Sequence, residues 1–378
     1  MKIRPLVALD IGATKVACAV GLPHEDAPGF DLLGTSLIPY PTMIETWLSD
    51  PLLVSGAIER ALEATAVGGE LQHAVVSVKL ATLQSEQVRV AIGLADEPVT
   101  VRQRDLERLQ QRALDQVLGI DREPLMVERL GCDGNGFEQV RDPRGLSATR
   151  LSGAFHVLTI PTSARRALAQ VVEAAGLEVG PVRYTLPAAV ASLSDERLAH
   201  QRVLLIDVGG STIQLGWFVE HVLRAVRILP WGGLTMASTI AKDLRVTMDQ
   251  ALSWSLEGSG CRRAEVRALL DHHWASFSPA LESLLTQQPR PDTVLLAGRG
   301  ALIDGLAERI EQAVGMPAML CRSPQTNRAS DLSYQLGLST AIGLLEQATR
   351  WGGRAVFRPE RLFDRLIDRT RTVLTEYF

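Results

Sequence analysis

Residues 203–217 read VLLIDVGGSTIQLGW. Four apolar residues lead to Asp207, a turn of small residues follows, and a second apolar strand ends at Trp217. Residues 7–20, VALDIGATKVACAV, repeat the pattern with Asp10 at the end of the first strand. Two copies of one supersecondary unit, about half a chain apart, predict two related α/β halves that face a common cleft.

The turn in each copy has the composition of a phosphate-binding loop. Backbone N–H groups in a turn of Gly, Ser and Thr can approach phosphate oxygens closely, and an aspartate at a strand end can hold hydrated Mg²⁺. Lys15 adds a point charge for a terminal phosphate. The sequence therefore predicts a nucleotide site between the two halves.

Composition restricts the class of protein. The chain has 378 residues, enough for two or three domains, and its 46% hydrophobic and 22% charged residues are typical of a soluble globular protein. A net charge of −4 gives no electrostatic case for nucleic-acid binding. No apolar run approaches the ~18 residues of a membrane span, and Asp10 interrupts the apolar stretch that a signal peptide would need. We therefore expect any membrane contact to be peripheral.

The cysteines indicate a reducing compartment. They show neither metal-ligand spacing nor a compact disulfide framework, which favours buried thiols in the cytoplasm. The four positions are Cys18, Cys132, Cys261 and Cys321.

Residues 81–155 differ in character from the segments on either side. Their pattern predicts a strand, a helix and two further strands, with a capping box at Thr100-Val-Arg-Gln103 opening the helix. The segment ends in DPRGLSATRL at residues 142–151. These features indicate a separate α+β unit inserted into the first half.

Three helices are predicted beside the repeated units. Ser163 is expected to cap a helix over residues 164–175. A short helix opens at residues 186–189, and a longer one covers residues 334–347 with Gly337 and Gly343 inside it. Because each internal glycine costs a helix ~1 kcal/mol relative to alanine, we expect close helix–helix approach at these positions.

The paired hairpins resemble the two phosphate loops of the actin, hexokinase and heat-shock-chaperone superfamily. The whole chain resembles the FtsA family, bacterial cell-division proteins that tether FtsZ filaments to the membrane, and the stretch at 142–151 is close to the FtsA pattern in an SHS2-type insertion. The resemblance implies an actin-like α/β fold of two halves around a nucleotide cleft. It also places the protein at the cytoplasmic face of the membrane and the division septum.

The resemblance divides the chain into subdomains. The first actin-like subdomain (IA) takes residues 1–80 and 156–200, and the inserted SHS2-type subdomain (IC) takes 81–155. The second half and the C-terminus supply the remaining parts: subdomain IIA at 201–235 and 290–348, the outer subdomain IIB at 236–289, a short linker at 349–359, and an amphipathic helix at 360–378.

The resemblance also implies a binding site for ATP and Mg²⁺. Asp10 and Asp207 would hold the hydrated metal. The remaining predicted contacts are phosphate contacts and nucleoside contacts. The phosphate group consists of Gly12, Thr14, Lys15, Gly209, Gly210, Ser211 and Thr212, and the nucleoside group consists of Gly232, Gly233, Gly298 and Gly300.

Several polar positions depart from the family pattern. Gln214 stands where the second loop usually carries another aspartate, and Leu186 stands where hydrolases keep a Glu or Gln to orient water. Ala251 and Trp254 fall, by sequence count, where relatives place Glu and Lys against the ribose. We therefore expect very slow or absent hydrolysis and modest nucleotide affinity.

The C-terminal residues 360–378 predict an amphipathic helix. Placed at ~100° per residue, its apolar side chains form one stripe opposite a charged face. The membrane-binding stripe consists of Leu362, Phe363, Leu366, Ile367, Val373, Leu374, Tyr377 and Phe378. The alternative is that the same stripe packs on the body of the protein. The FtsA resemblance favours the membrane and adds three kinds of partner: the FtsZ C-terminal peptide, copies of the chain in a filament, and other division proteins.

Two alternative functions stay open at this point. The stretch DIGATK at residues 10–15 also resembles the opening of ROK-type sugar kinases, although residues 186–193 contain no acidic side chain to act as general base. A PilM-like pilus-assembly scaffold of the same superfamily would share the cleft and the inserted unit.

Overall fold

The computed structural model describes residues 4–25, 27–40, 48, 50–69, 71–257 and 263–350. The strands are β1 (Leu6–Ile11), β2 (Lys15–Pro23), β3 (Phe30–Pro39), β4 (His73–Val78), β5 (Gln84–Gly93), β6 (Val99–Thr100), β7 (Arg122–Gly134), β8 (Phe137–Val140), β9 (Ser147–Ala148), β10 (Arg150–Pro161), β11 (Glu178–Tyr184), β12 (Arg202–Val208), β13 (Ile213–Val219), β14 (Val222–Leu229), β15 (Thr293–Ala297) and β16 (Ala318–Leu320). The helices are α1 (Pro51–Ala64), α2 (Gln103–Val117), α3 (Thr162–Ala174), α4 (Thr185–Ala191), α5 (Gly233–Leu244), α6 (Met248–Glu257), α7 (Arg263–Gln287), α8 (Leu306–Val314) and α9 (Leu332–Arg350).

Two five-stranded sheets share one topology. The first has the order β11-β4-β1-β2-β3, and the second has the order β16-β15-β12-β13-β14. In each sheet an antiparallel run of three consecutive strands is extended by two parallel strands. The duplication predicted from the two hairpins is therefore present in the whole of both sheets, which gives an actin-like fold of two halves.

The two repeated hairpins have equivalent turns. Asp10 and Asp207 each lie at the end of the first strand, opposite Ala17 and Gln214 on the returning strand. The Gly12 N–H donates to the Lys15 carbonyl over 3.0 Å, just as the Gly209 N–H donates to the Thr212 carbonyl over 3.0 Å. Because the strands are buried, these short turns hold both aspartates at the same edge of their sheets.

The inserted segment forms its own sheet and core. Its strands have the order β5-β10-β7-β8, and α2 packs on this sheet through Leu106, Leu109 and Leu114. The predicted capping box at Thr100 is wrong because Thr100 lies in β6. Helix α2 begins at Gln103, and the Asp105 carboxylate accepts a hydrogen bond from the Arg102 N–H over 2.9 Å at its start.

The insertion also contacts the second half of the chain. The neutral His156 ring donates from Nδ1 to the Leu223 carbonyl over 2.9 Å, so its Nε2 accepts from the Ser85 hydroxyl over 2.8 Å. The Gln87 amide donates to the Arg224 carbonyl over 2.6 Å. Burial lowers the pKa of His156, partly offset by its hydrogen bond to Leu223. The inserted sheet is therefore fastened to β14 by groups from its edge strand β5 and from the neighbouring strand β10.

Helices α4 and α9 meet at the glycine that the sequence singled out. A methyl group at Gly343 would overlap the Ala188 carbonyl oxygen, and one at Gly337 would overlap Leu37. The expected close helix–helix approach is therefore confirmed at Gly343, whereas at Gly337 the close neighbour is Leu37 of strand β3. Of the segment 290–348, β15 and β16 lie in the second sheet, whereas α9 packs on the first sheet.

Helices α5, α6 and α7 form the outer part of the second half. They pack around Trp217 and Phe277, which are almost fully buried. The predicted helix cap at Ser163 is wrong. Helix α3 begins at Thr162 with Pro161 before it, so Ser163 lies inside the first turn, and α8 begins at Leu306 after a separate 3₁₀ turn over 299–302.

Of the linker predicted at 349–359, residues 349 and 350 belong to the end of α9 instead. Residues 351–359 and the predicted amphipathic helix at 360–378 lie outside the described residues. Within the residues that are described, no helix combines the length and the apolar character needed to cross a membrane.

Candidate functional site

A cavity of about 360 Å³ lies between the two sheets. Its lining comes from both halves, from the turns of both repeated hairpins, and from α6 and α9. This volume is within the ~300–1,000 Å³ typical of small-molecule sites. The duplicated fold therefore brings its two turns to one cavity.

The first turn holds a tightly bonded ion pair. The Lys15 ammonium lies 2.5 Å from Asp10 Oδ2 and also donates to the Gly337 carbonyl over 2.8 Å. The Ser77 hydroxyl donates to the other Asp10 oxygen over 2.6 Å. Burial alone would raise the pKa of Asp10, but the charge and hydrogen bond of Lys15, the Ser77 hydrogen bond and the charge of Lys79 together hold it below its usual value. Asp10 is therefore a carboxylate at neutral pH.

The second turn holds an ion pair with the other half of the chain. The ammonium of Lys79, which follows β4 of the first half, lies 2.6 Å from Asp207 Oδ2. A methyl group at Gly210 would lie 2.7 Å from Thr14 Cγ2, so the two turns nearly touch across the cavity. The buried Thr212 hydroxyl has no hydrogen-bond partner among the described residues. Thr212 also lines the cavity, so the turn contains a hydroxyl group whose hydrogen-bonding capacity the described residues leave unused.

Two glycine turns support the second loop from behind. A methyl group at Gly232 would overlap the Gly209 carbonyl oxygen, and the Gly233 N–H donates to that oxygen over 2.9 Å. Gly298 has φ +76°, and a methyl group there would lie 2.6 Å from Asp207 Oδ1. Only glycine allows these backbones to approach the loop so closely.

The residues of α6 that line the cavity differ from the positions expected from the sequence. Ala251 is fully buried in the core of the second half and does not line the cavity, and Trp254 is not part of the lining either. The cavity side of the helix consists of Asp249, Leu252, Ser255 and Leu256. The assignment of positions 251 and 254 to the ribose side is therefore wrong, because those side chains lie on other faces of the helix.

Leu186 and Gln214, which also depart from the family pattern, are both buried. Leu186 packs in the core against Gly216, so it places no polar atom in the cavity. Gln214 is fully buried, and its Oε1 accepts a hydrogen bond from the Tyr184 hydroxyl over 2.9 Å. The described structure thus shows a structural partner for Gln214 in place of a ligand.

The lining includes nearly all of the predicted nucleotide-binding residues, together with charged groups that were not predicted. All the predicted nucleotide-binding residues line the cavity except Gly232, which supports the loop instead. Lys79, Arg299 and Tyr40 line it too and were not predicted as site residues. Burial and the Asp10 charge raise the pKa of Tyr40. The available signal for Lys79 was a lysine directly after a buried strand, at the same edge as Asp10.

Comparison with known proteins identifies the insertion. Residues 81–159 match the model of the SHS2 domain inserted in FtsA. The chain is 27% identical over 373 residues to the cell division protein FtsA of Pseudomonas aeruginosa, covering 90% of this chain and 88% of the relative. It is 22% identical to the FtsA of Borreliella burgdorferi, with 90% of each chain covered. With the FtsA of Bacillus subtilis it shares 25% identity, across 65% of this chain and 56% of that protein.

Solved structures share the fold at lower identity. The PilM–PilN type IV pilus biogenesis complex matches with a TM-score of 0.67 at 17% identity, covering 91% of this chain and 98% of that one. MreB5 of Spiroplasma citri bound to AMPPNP matches with a TM-score of 0.50 at 12% identity, covering 94% and 99%. These likenesses show that the architecture is actin-like.

Proposed function

We propose that this chain, an actin-like homologue of the FtsA cell-division proteins, binds ATP in its cleft and tethers FtsZ filaments to the cytoplasmic face of the membrane. The relatives named cell division protein FtsA and the FtsA-type SHS2 match support the division role. The observation that carries nucleotide binding is the meeting of two equivalent glycine turns at one cavity.

The phosphates of ATP would lie between the two turns. Gly12 and Thr14 face Gly209 and Gly210 across the cavity, and turns of this composition present N–H groups to anions. Lys15 supplies positive charge on the first side. The Thr212 hydroxyl has a hydrogen bond to give, and a phosphate oxygen would accept it.

The nucleoside would lie toward α6 and the Gly298 turn. The lining there alternates apolar side chains with Asp249, Ser255 and Arg299. A purine can stack on the apolar part while the sugar hydroxyls bond to the polar part. Because Asp249 and Ser255 are the polar groups that α6 offers to the sugar, we expect modest affinity.

The hydrated Mg²⁺ predicted on Asp10 and Asp207 does not fit the donor set as it stands. Each carboxylate already accepts a hydrogen bond from a lysine ammonium, at 2.5 Å and 2.6 Å. Among the described residues no group of three or more His, Cys, Asp or Glu side chains is arranged to hold a metal ion. No step of the proposed function therefore passes through a metal.

Hydrolysis is proposed to be very slow or absent. In-line attack on a γ-phosphate needs a positioned water molecule. Leu186 is buried away from the cavity and cannot orient one. ATP would then act chiefly as a ligand that stabilises the closed cleft.

Tethering would use two further surfaces. The outer helices α5–α7 are the proposed site for the FtsZ C-terminal peptide, and residues 360–378 are the proposed membrane helix. Self-assembly into filaments would multiply the weak lipid affinity of one helix by avidity. These assignments rest on the family relationship and on the sequence pattern.

The peptide site on α5–α7 is tested by measuring the binding of a fluorescent FtsZ C-terminal peptide by polarisation. A folded, ATP-binding protein that does not bind the peptide would refute the tether.

ATP binding is tested by calorimetry on Thr212→Val. Because the hydroxyl is buried and unpartnered among the described residues, its removal should leave stability unchanged or higher while ATP affinity falls about tenfold or more. Thr326→Val is the matched control. Its hydroxyl donates to the Ser323 carbonyl over 2.8 Å, so this variant should lose stability and keep its ATP affinity. Absence of ATP binding, or equal affinity in Thr212→Val and wild type, would overturn the assignment of the cleft.

A further inference from the structure

The ammonium of Lys79 occupies the space beside the second phosphate loop. A methyl group added to Gly209 would lie 2.6 Å from Lys79 Nζ, so the amine rests directly against the loop backbone. The same amine lies 2.6 Å from Asp207 Oδ2, and its side chain is 15% exposed. Lys79 therefore reaches from the first half to the point where the second half would receive phosphates.

The position of Lys79 follows from the duplicated topology. Ser77 of β4 pairs with Asp10 in the first sheet, and Ala297 of β15 pairs with Asp207 in the second. Counting two residues onward from each gives Lys79 and Arg299, and both line the cavity. Arg299 donates to the Ser333 hydroxyl over 2.8 Å, whereas Lys79 crosses to the other half. Each half therefore contributes a basic side chain to the cavity from an equivalent position.

Lys79 already occupies Oδ2 of Asp207 and so competes with the water shell of a metal ion for this carboxylate. Mg²⁺ bound through a carboxylate keeps its own water shell and needs the carboxylate oxygens free to accept from those waters. The second position that could assist, Gln214, is engaged with Tyr184. A bound ammonium already neutralises Asp207 and brings N–H donors to the same place.

We propose that Lys79 is the built-in cation of the phosphate site, so that ATP binds to this chain without needing a divalent metal ion. This inference rests on the proposed nucleotide site. Lys79 would keep its hydrogen bond to Asp207 and turn its other N–H groups to the phosphates, because an ammonium has three donors. It would thereby join the two halves through the nucleotide as well as through Asp207.

The experiment measures ATP affinity by calorimetry in excess Mg²⁺ and in EDTA. Wild type should bind ATP in both, with less than about a fivefold difference. Lys79→Met should lose about tenfold to a hundredfold in EDTA, and Mg²⁺ should restore most of that loss. Lys79→Arg, which keeps the charge, should retain binding in EDTA. Lys242→Met, on the exposed face of α5, is the matched control and should behave as wild type.

Adenosine binding separates the proposed role of Lys79 from the proposed nucleotide site as a whole. Adenosine carries no phosphate, so its affinity should be the same in wild type and Lys79→Met, which also shows that the variant is folded. If Lys79→Met fails to fold, the inference is tested on wild type alone, by its ATP affinity in Mg²⁺ and in EDTA. A difference above about fivefold between these two affinities overturns the inference. Equal ATP affinity of wild type and Lys79→Met in EDTA would overturn it as well. Failure of wild type to bind ATP in either condition would refute the nucleotide site itself.

Discussion

Alanine at Gly343 should destabilise the protein, whereas alanine at Gly56 should stabilise it. Both glycines lie inside helices, α9 and α1. A methyl group at Gly343 would lie 2.5 Å from the Ala188 carbonyl carbon and 3.1 Å from the Ser192 N atom. At Gly56 the nearest atom is the mobile end of Arg60, 3.8 Å away. One substitution thus meets rigid backbone at the first site and open space at the second.

The sign of each effect follows from two opposing contributions. Overpacking costs about 1–3 kcal/mol, and backbone cannot rotate away as a side chain can, so Gly343→Ala should be near 3 kcal/mol. The higher helix propensity of alanine offsets about 1 kcal/mol of that cost. The net loss is therefore about 2 kcal/mol, against a gain of about 1 kcal/mol in Gly56→Ala.

Urea unfolding followed by circular dichroism measures both values under one set of conditions. The two variants should differ by about 3 kcal/mol in the free energy of unfolding, with opposite signs relative to wild type. Gly343→Ala should also bind ATP more weakly, because α9 carries the Gly337 carbonyl that accepts from Lys15. A Gly343→Ala variant as stable as Gly56→Ala would refute the close packing of α4 on α9.

Three further predictions concern pH, turnover and lipid. Because burial lowers the folded-state pKa of His156 below its unfolded value of about 6.5, the unfolded chain binds more protons, so stability should fall as pH drops through that value. Between pH 7.5 and 5.5, the free energy of unfolding measured with urea should fall less in His156→Gln than in wild type. Equal losses in the two proteins would contradict the lowered pKa of His156. ATP turnover should stay far below about 1 s⁻¹ in a phosphate-release assay, and ordinary enzymatic rates would reveal a missed catalytic group. In liposome co-sedimentation the full chain should bind more than a 1–357 truncation; equal binding would argue that the C-terminal stripe packs on the body.

The sequence alone was sufficient for the fold class and for most of the turn residues that the fold brings to the cavity. Each hairpin is local: Asp10 and Lys15 are five residues apart, and the turn that joins their strands consists of residues that favour turns. The alternation of buried strand, aspartate and glycine turn was therefore readable without knowing any distant contact. The motif at 142–151 likewise identified the insertion that the family comparison confirms.

The first residue of a helix and the face that the helix turns to the cavity were predicted less well. The side of α6 that faces the cavity is decided by how the helix packs, so counting along the chain selected Ala251 and Trp254 in place of Asp249 and Leu252. The cap at Ser163 failed for a similar reason, because α3 follows directly from β10 and leaves no free turn before it.

Contacts between distant segments were decided by the tertiary structure. The Lys79–Asp207 pair joins residues 128 positions apart, and the bond from His156 to Leu223 fastens the insertion to β14 across 67 positions. Neither pair can be recognised from the neighbouring sequence, because a lysine after a strand or a histidine within one can be either exposed or buried. Only the packing of two duplicated sheets around one cavity brings Lys79 onto Asp207, where the burial of most of both side chains favours the pairing of their charges.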